Sequence, residues 1–161
     1  MSCNFEDLVG PTLLIGTGQE VYTKDLLKGK KYVMLYFSAN WCPPCRRFTP
    51  LLGEAYNAHK QHMKDNNTIT EEDIEVIFVS LDSIQSEFDA YRSKMPFYSV
   101  PFANLWLLNI KDKLSNRFGV RSIPTLVILD QDGIVITKNG KGEYYNFFKG
   151  DYEVPSSCCI S

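Results

Sequence analysis

The sequence predicts an α/β domain built on one sheet with helices on both faces. Two continuous apolar runs, Tyr32–Ser38 and Ile74–Ser80, read as strands buried on both faces. Between them Phe48, Leu51, Leu52, Ala55 and Tyr56 recur at helical spacing, which makes a strand–helix–strand unit. A further helical stretch and a hairpin follow and complete the pattern.

Each element has a local reason. Leu13–Gly16 and Glu20–Thr23 flank Thr17-Gly18-Gln19 and predict a short hairpin, and Lys24–Leu27 a helical turn. The long helix should run from Pro43 to about Lys64, ended by Asp65-Asn66-Asn67-Thr68. Asp82–Met95 reads as a helix, because Asp82-Ser-Ile-Gln85 has the spacing of a capping box. Pro96 and Pro101 predict an extended linker over Phe97–Phe102. Leu105–Phe118 reads as one helix closed by Gly119. Thr125–Asp130 and Gly133–Thr137 form a hairpin through Gln131-Asp132, and the aromatic residues of Gly140–Tyr152 suit a last docking helix.

The 161 residues suit a single domain over 1–154 with a flexible tail over 155–161. A hydrophobic content of 44% fits a soluble globule, and no apolar run approaches the roughly 18 residues of a membrane span. The net charge of −2, with no basic block, argues against nucleic-acid binding. The first residues lack a basic region followed by an apolar one, so a cytoplasmic location is expected. There, a Cys-x-x-Cys pair is more often catalytic than structural. Cys42 and Cys45 form such a pair, while Cys3, Cys158 and Cys159 lie near the ends and supply no disulfide framework.

Cys42 falls at a helix start and Cys45 one turn inside. The helix dipole and free N–H groups favour a thiolate at the first position, and a thiolate is what attacks a disulfide. Cys42 is therefore the expected nucleophile and Cys45 the resolving thiol. Pro43 and Pro44 have no N–H, which leaves the N–H of Cys45 as the nearest backbone donor to Cys42. Arg46 is either a source of positive potential there or, with Arg47, a solvated surface residue.

A zinc site competes on paper, since His59-x2-His62 follows the cysteines. Three features oppose it. The histidine spacing is one residue short, the intervening stretch reads as one unbent helix, and Pro-Pro stiffens the loop that would wrap the ion. At 1.5 Å per residue the histidines fall roughly 20 Å from Cys45. No metal and no cofactor is expected.

Three more positions stand out. Ile123-Pro124-Thr125 precedes a strand whose edge should lie beside the cysteine helix; a cis Pro124 would aim the Ile123 backbone at the sulfurs, although most X-Pro bonds are trans. Asp82 ends the central strand on the side where α/β sheets bind ligands. It either handles the Cys45 proton or caps the next helix, and the two roles are compatible. Trp41 reads as an apolar lip for substrate beside an exposed sulfur, with packing as the plainer alternative.

Taken in order, Phe37-Ser-Ala-Asn-Trp-Cys-Pro-Pro-Cys-Arg46, Val79-Ser-Leu-Asp82, Lys94-Met-Pro96, Val100-Pro-Phe102 and Ser122-Ile-Pro-Thr125 resemble the thioredoxin superfamily, and within it the tryparedoxin and nucleoredoxin branch. The likeness covers roughly residues 10–137. It implies a thioredoxin fold with a central mixed sheet and an N-terminal β-hairpin, a cis Pro124 and a reversible Cys42–Cys45 disulfide. It also implies a substrate surface at Trp41, Pro43, Pro44, Ile123 and Pro124. Electrons would pass from a low-molecular-weight dithiol of the trypanothione or glutathione type to peroxiredoxins or other protein disulfides, through a monomer. The alternative is a non-enzymatic, nucleoredoxin-like module that senses redox state or binds partners. Tyr36 stands where thioredoxins keep a buried acid, which strengthens Asp82 as the proton-handling group. Arg47 replaces an expected small residue, and Asn104–Ile110 is longer and more apolar than the family pattern; it either reshapes the partner-selecting rim or packs as core.

At the end of the chain, Cys158-Cys-Ile-Ser161 fits a prenylation box, with serine favouring farnesyl on Cys158. The upstream Asp151 and Glu153 are acidic, so even a lipidated tail should give weak membrane association. An unmodified tail is the other reading.

Overall fold

The computed structural model describes residues 4–16, 18–65 and 73–148. Within them the chain runs α1 (Phe5–Val9), β1 (Thr12–Leu14), β2 (Glu20–Tyr22), α2 (Thr23–Leu27), β3 (Tyr32–Ser38), α3 (Pro43–Asp65) and β4 (Ile74–Ser80). It continues through α4 (Gln85–Arg92), β5 (Tyr98–Ser99), α5 (Phe102–Leu107), α6 (Ile110–Phe118), β6 (Thr125–Asp130), β7 (Val135–Thr137) and α7 (Gly140–Phe148). The tail with Cys158 lies outside the described residues, as does the segment after Asp65.

The strands form one mixed sheet in the order β2-β1-β5-β4-β3-β6-β7. β3 runs parallel to β4, β4 parallel to β5, and the other pairs are antiparallel. β3 and β4 are buried almost throughout, so both faces need cover. α3 and α7 pack together as one helical group, and α1, α2, α5 and α6 make another. An aromatic chain ties α3 to the sheet: Tyr36 meets Phe48, Phe78 and Phe97 edge-on or tilted, and Phe97 meets Tyr56. At the start of α7, a Cβ on Gly140 would stand 2.5 Å from the Leu126 carbonyl oxygen, so only glycine lets this helix lie so close to β6.

Register positions the site. Ser38 pairs with Ser80, and Phe37 pairs with Thr125. The ends of β3 and β4 and the start of β6 therefore meet at one edge. The chain leaves them as Ala39–Cys42, Leu81-Asp82 and Ile123-Pro124, which brings the sequence motifs together.

Several elements differ from expectation. α1 was not anticipated; the Asn4 side chain caps it by accepting from the Glu6 N–H. The proline-bounded linker contains β5, the strand that joins the N-terminal hairpin to β4. The expected helix Leu105–Phe118 is two helices, starting earlier at Phe102 and broken at Asn109, which adopts the left-handed conformation at φ 55°. Asparagine tolerates that geometry better than most residues. Gly119 does close α6, at φ 64°. The helix placed at Asp82–Met95 begins at Gln85 and ends at Arg92, and its N-cap is Ile84 with no side-chain bond. The capping-box reading of Asp82 is thus wrong, because nearer donors claim its carboxylate.

Candidate redox site

Cys42 and Cys45 are joined as a disulfide across the first turn of α3, with Cα atoms 5.2 Å apart. Proline suits a first helical turn, where an N–H would lack an intrahelical partner, so Pro43-Pro44 does not interrupt α3. Cys45 is fully buried and Cys42 keeps 6% exposure, which makes Cys42 the sulfur a second molecule can reach. Two backbone groups face it: the Cys45 N–H donates to Cys42 Sγ at 3.4 Å, and the Ile123 carbonyl oxygen lies 3.7 Å away. The Ile123-Pro124 bond is cis, as the resemblance implied. Trp41, 56% exposed, and the exposed Pro43 and Pro44 flank Cys42 in the chain, while Pro124 is buried and Ile123 half-buried.

Asp82 is fully buried. Its carboxylate accepts from the Asn40 N–H at 3.0 and 3.2 Å and from Ser80 Oγ at 3.0 Å, and neither cysteine sulfur bonds it. Burial pushes its pKa up; the Asn40 and Ser80 donors oppose the shift, and Glu87 adds to it. Asp82 thus holds the loop that carries Asn40, Trp41 and Cys42, and is biased toward its protonated form.

Beneath Cys45 lies a buried chain of hydroxyls that the sequence did not reveal. Thr49 Oγ1 donates to the Cys45 carbonyl at 2.9 Å. Tyr36 OH and Tyr91 OH lie 2.6 and 2.7 Å from Thr49 Oγ1, and Ser38 Oγ lies 2.7 Å from Tyr91 OH. With one proton per hydroxyl, the directions follow: Ser38 donates to Tyr91, while Tyr91 and Tyr36 donate to Thr49. Burial, and then the neighbouring Tyr91, push the Tyr36 phenol well above its ordinary range, so it stays protonated. Where an acid was noted as missing, the protein has a neutral network. Thr49 could have been suspected, since it lies four residues beyond Cys45 on the same helix face.

The histidines go elsewhere. His59 Nε2 lies 2.9 Å from Asp73 Oδ1, at the other end of α3. Lys30 and Lys60 join Asp73 and Glu75 there in a buried ion cluster, with Lys30 Nζ–Asp73 at 2.6 Å and Lys60 Nζ–Glu75 at 2.8 Å. Tyr56 OH donates to Glu75.

Fold and cysteine pair together define the class: a dithiol–disulfide centre on a thioredoxin fold. The chain belongs to the Thioredoxin-like family, whose model matches residues 29–135. It is 41% identical over 125 residues to tryparedoxin of Trypanosoma brucei brucei, covering 78% of this chain and 77% of that one. It is 36% identical over 142 residues to mouse (Mus musculus) nucleoredoxin, covering 88% of this chain; the chain spans 30% of that relative's length. A solved tryparedoxin II complexed with glutathionylspermidine superimposes with a TM-score of 0.70 at 32% identity, covering 91% of this chain and 93% of that one.

Proposed function

We propose that the chain is a thiol–disulfide oxidoreductase that passes electrons from a small thiol or dithiol of the trypanothione or glutathione type to peroxiredoxins or other protein disulfides. The observation that carries this is the Cys42–Cys45 disulfide at the start of α3, with Cys42 the more exposed sulfur and the Cys45 N–H directed at it. The glutathionylspermidine bound to the tryparedoxin II relative supports the donor class.

In the reductive half, a donor thiolate attacks Cys42 Sγ. The Cys42–Cys45 bond breaks, and Cys45 leaves as a thiolate that takes up a proton. A second donor thiolate then attacks the donor's sulfur in the mixed disulfide, releasing the Cys42 thiolate and the oxidised donor. In the other half, the Cys42 thiolate attacks a target disulfide and expels one target thiolate. Cys45 loses its proton, attacks Cys42 and expels the second. Two electrons reach the target, and the disulfide is restored. Dipole and N–H favour the Cys42 thiolate, Asp82 is the acid assigned to the Cys45 proton, and Trp41 with the Ile123 backbone seats the incoming chain.

Stopped-flow reduction of a model protein disulfide tests this. Cys42→Ser should abolish turnover, and Cys45→Ser should accumulate a mixed disulfide visible by mass. Full activity of Cys42→Ser would sink the mechanism.

The likeness to nucleoredoxin supports a second reading, a redox-sensing or partner-binding module. A pair that oxidises once and is not recycled by any thiol donor would favour it.

A further inference from the structure

One helical turn beyond Cys42, a cleft of about 190 Å³ opens between α3 and the end of α4. Its lining is Asn40, Arg46, Thr49, Pro50, Tyr91 and Lys94. At ~30 Å³ per water, this is room for one amino-acid-sized group rather than a folded partner.

The charge in this cleft is one-sided. Arg46 and Lys94 are exposed cations, and neither makes an ion pair or side-chain hydrogen bond within the described residues. Among the described residues no carboxylate lines the cleft. Asp82 bonds the Asn40 backbone N–H, and the Asn40 side-chain amide makes no hydrogen bond among the described residues. The inner wall is fixed, because the Thr49 and Tyr91 hydroxyls are buried and mutually bonded. Elsewhere in the molecule, Lys30 and Lys60 are matched with carboxylates. Pro50 removes the N–H that would close the α3 ladder onto Arg46, and so loosens the helix where the cleft opens.

We infer that the Arg46–Lys94 cleft is a carboxylate subsite that holds the glycine carboxylate of a glutathione-type thiol while its sulfur attacks Cys42. This rests on the oxidoreductase reading above and narrows its donor. Arginine presents a planar fork that meets a carboxylate with two parallel N–H···O bonds, and lysine adds a point charge from the opposite wall. Arg46 follows Cys42 by one turn, its N–H donating to the Cys42 carbonyl at 3.1 Å, so a bound arm would lie within reach of the sulfur. Glutathione carries a free glycine carboxylate, whereas a spermidine conjugate replaces it with a cationic chain. The cleft therefore discriminates between these donor types.

The test is the rate of reduction of the oxidised protein by glutathione, by its glycine ethyl ester and by dithiothreitol, which carries no carboxylate. Each is measured on the native protein, Arg46→Gln and Lys94→Gln. A charge-assisted hydrogen bond supports a change of about tenfold. Each variant should lose about that factor with glutathione, lose clearly less with the ester, and stay within about twofold with dithiothreitol. Raising salt should slow the glutathione reaction most. Equal loss with all three reductants would overturn the subsite, since the cations would then act on the Cys42 sulfur itself. Equal loss with glutathione and ester would overturn it too, by showing that the glycine carboxylate is not held. Failure of dithiothreitol to reduce the native protein would overturn the oxidoreductase reading and the subsite with it.

Discussion

The two ends of α3 solve the same problem in opposite ways. At its start, polar groups beneath the disulfide are neutral hydroxyls, and the nearby cations Arg46 and Lys94 are unpaired among the described residues. At its far end, Lys30, Asp73 and Glu75 form a buried, mutually matched ion cluster with the half-buried Lys60, and His59 bonds Asp73. A buried charge is tolerable only when fully paired, so the far end is committed to structure. The start keeps its unpaired charge at the surface, where an incoming group can use it.

The largest expected effect is at the far end. Glu75→Ala removes the acceptor of the Tyr56 hydroxyl and one of the two carboxylates that pair Lys30 and Lys60, in a site where Glu75 is 1% exposed. Breaking such a buried partner should cost about 3–5 kcal/mol in urea unfolding. Disulfide reduction rates of the folded fraction should not change; a changed rate would show that the ends are coupled.

The next effect is a pH dependence. Burial alone would raise the Asp73 pKa, but hydrogen bonds from His59, Lys30 and Lys60 outweigh it and hold the carboxyl well below its ordinary 3.8. The unfolded chain then binds the proton more readily than the folded one. The resulting stability is complete above 3.8 and is lost as pH falls below that value. Urea midpoints should drop steeply in acid for the native protein. Asp73→Asn should lower stability near neutrality and flatten that acid slope.

Smallest is Thr49→Val, which keeps the shape and removes the hydroxyl that gathers Tyr36, Tyr91 and the Cys45 carbonyl. It should cost about 1–3 kcal/mol and leave the acid slope untouched, because no member of that network ionises in acid. An altered acid slope would break the contrast between the two ends.

What the sequence disclosed follows the range of the interaction. β3, β4 and α3 were legible because each repeats one local pattern over seven residues or more. α1 and β5 are five and two residues long, too short for periodicity to register. The break at Asn109 hides inside the apolar series Leu105–Ile110. Cys42, Cys45 and Trp41 announced themselves by spacing. The environment of Asp82 did not, since its partner Asn40 is 42 residues away, the same separation that parts Thr49 from Tyr91. The capping-box spacing at Asp82 misled because a local pattern lost to a long-range donor. The Arg46–Lys94 cleft was invisible for the same reason: its two cations sit on different elements.

The cysteines are only three residues apart. Closing so short a loop restricts the unfolded chain little, by about 2 kcal/mol on a loop-entropy estimate against nearly 5 for a 100-residue loop. In the thermodynamic cycle that links redox state to folding, the oxidised form therefore gains only about 2 kcal/mol of conformational stability over the reduced one. The couple stores and releases its electrons as a rechargeable cell does, with most of the casing's stability independent of the state of charge.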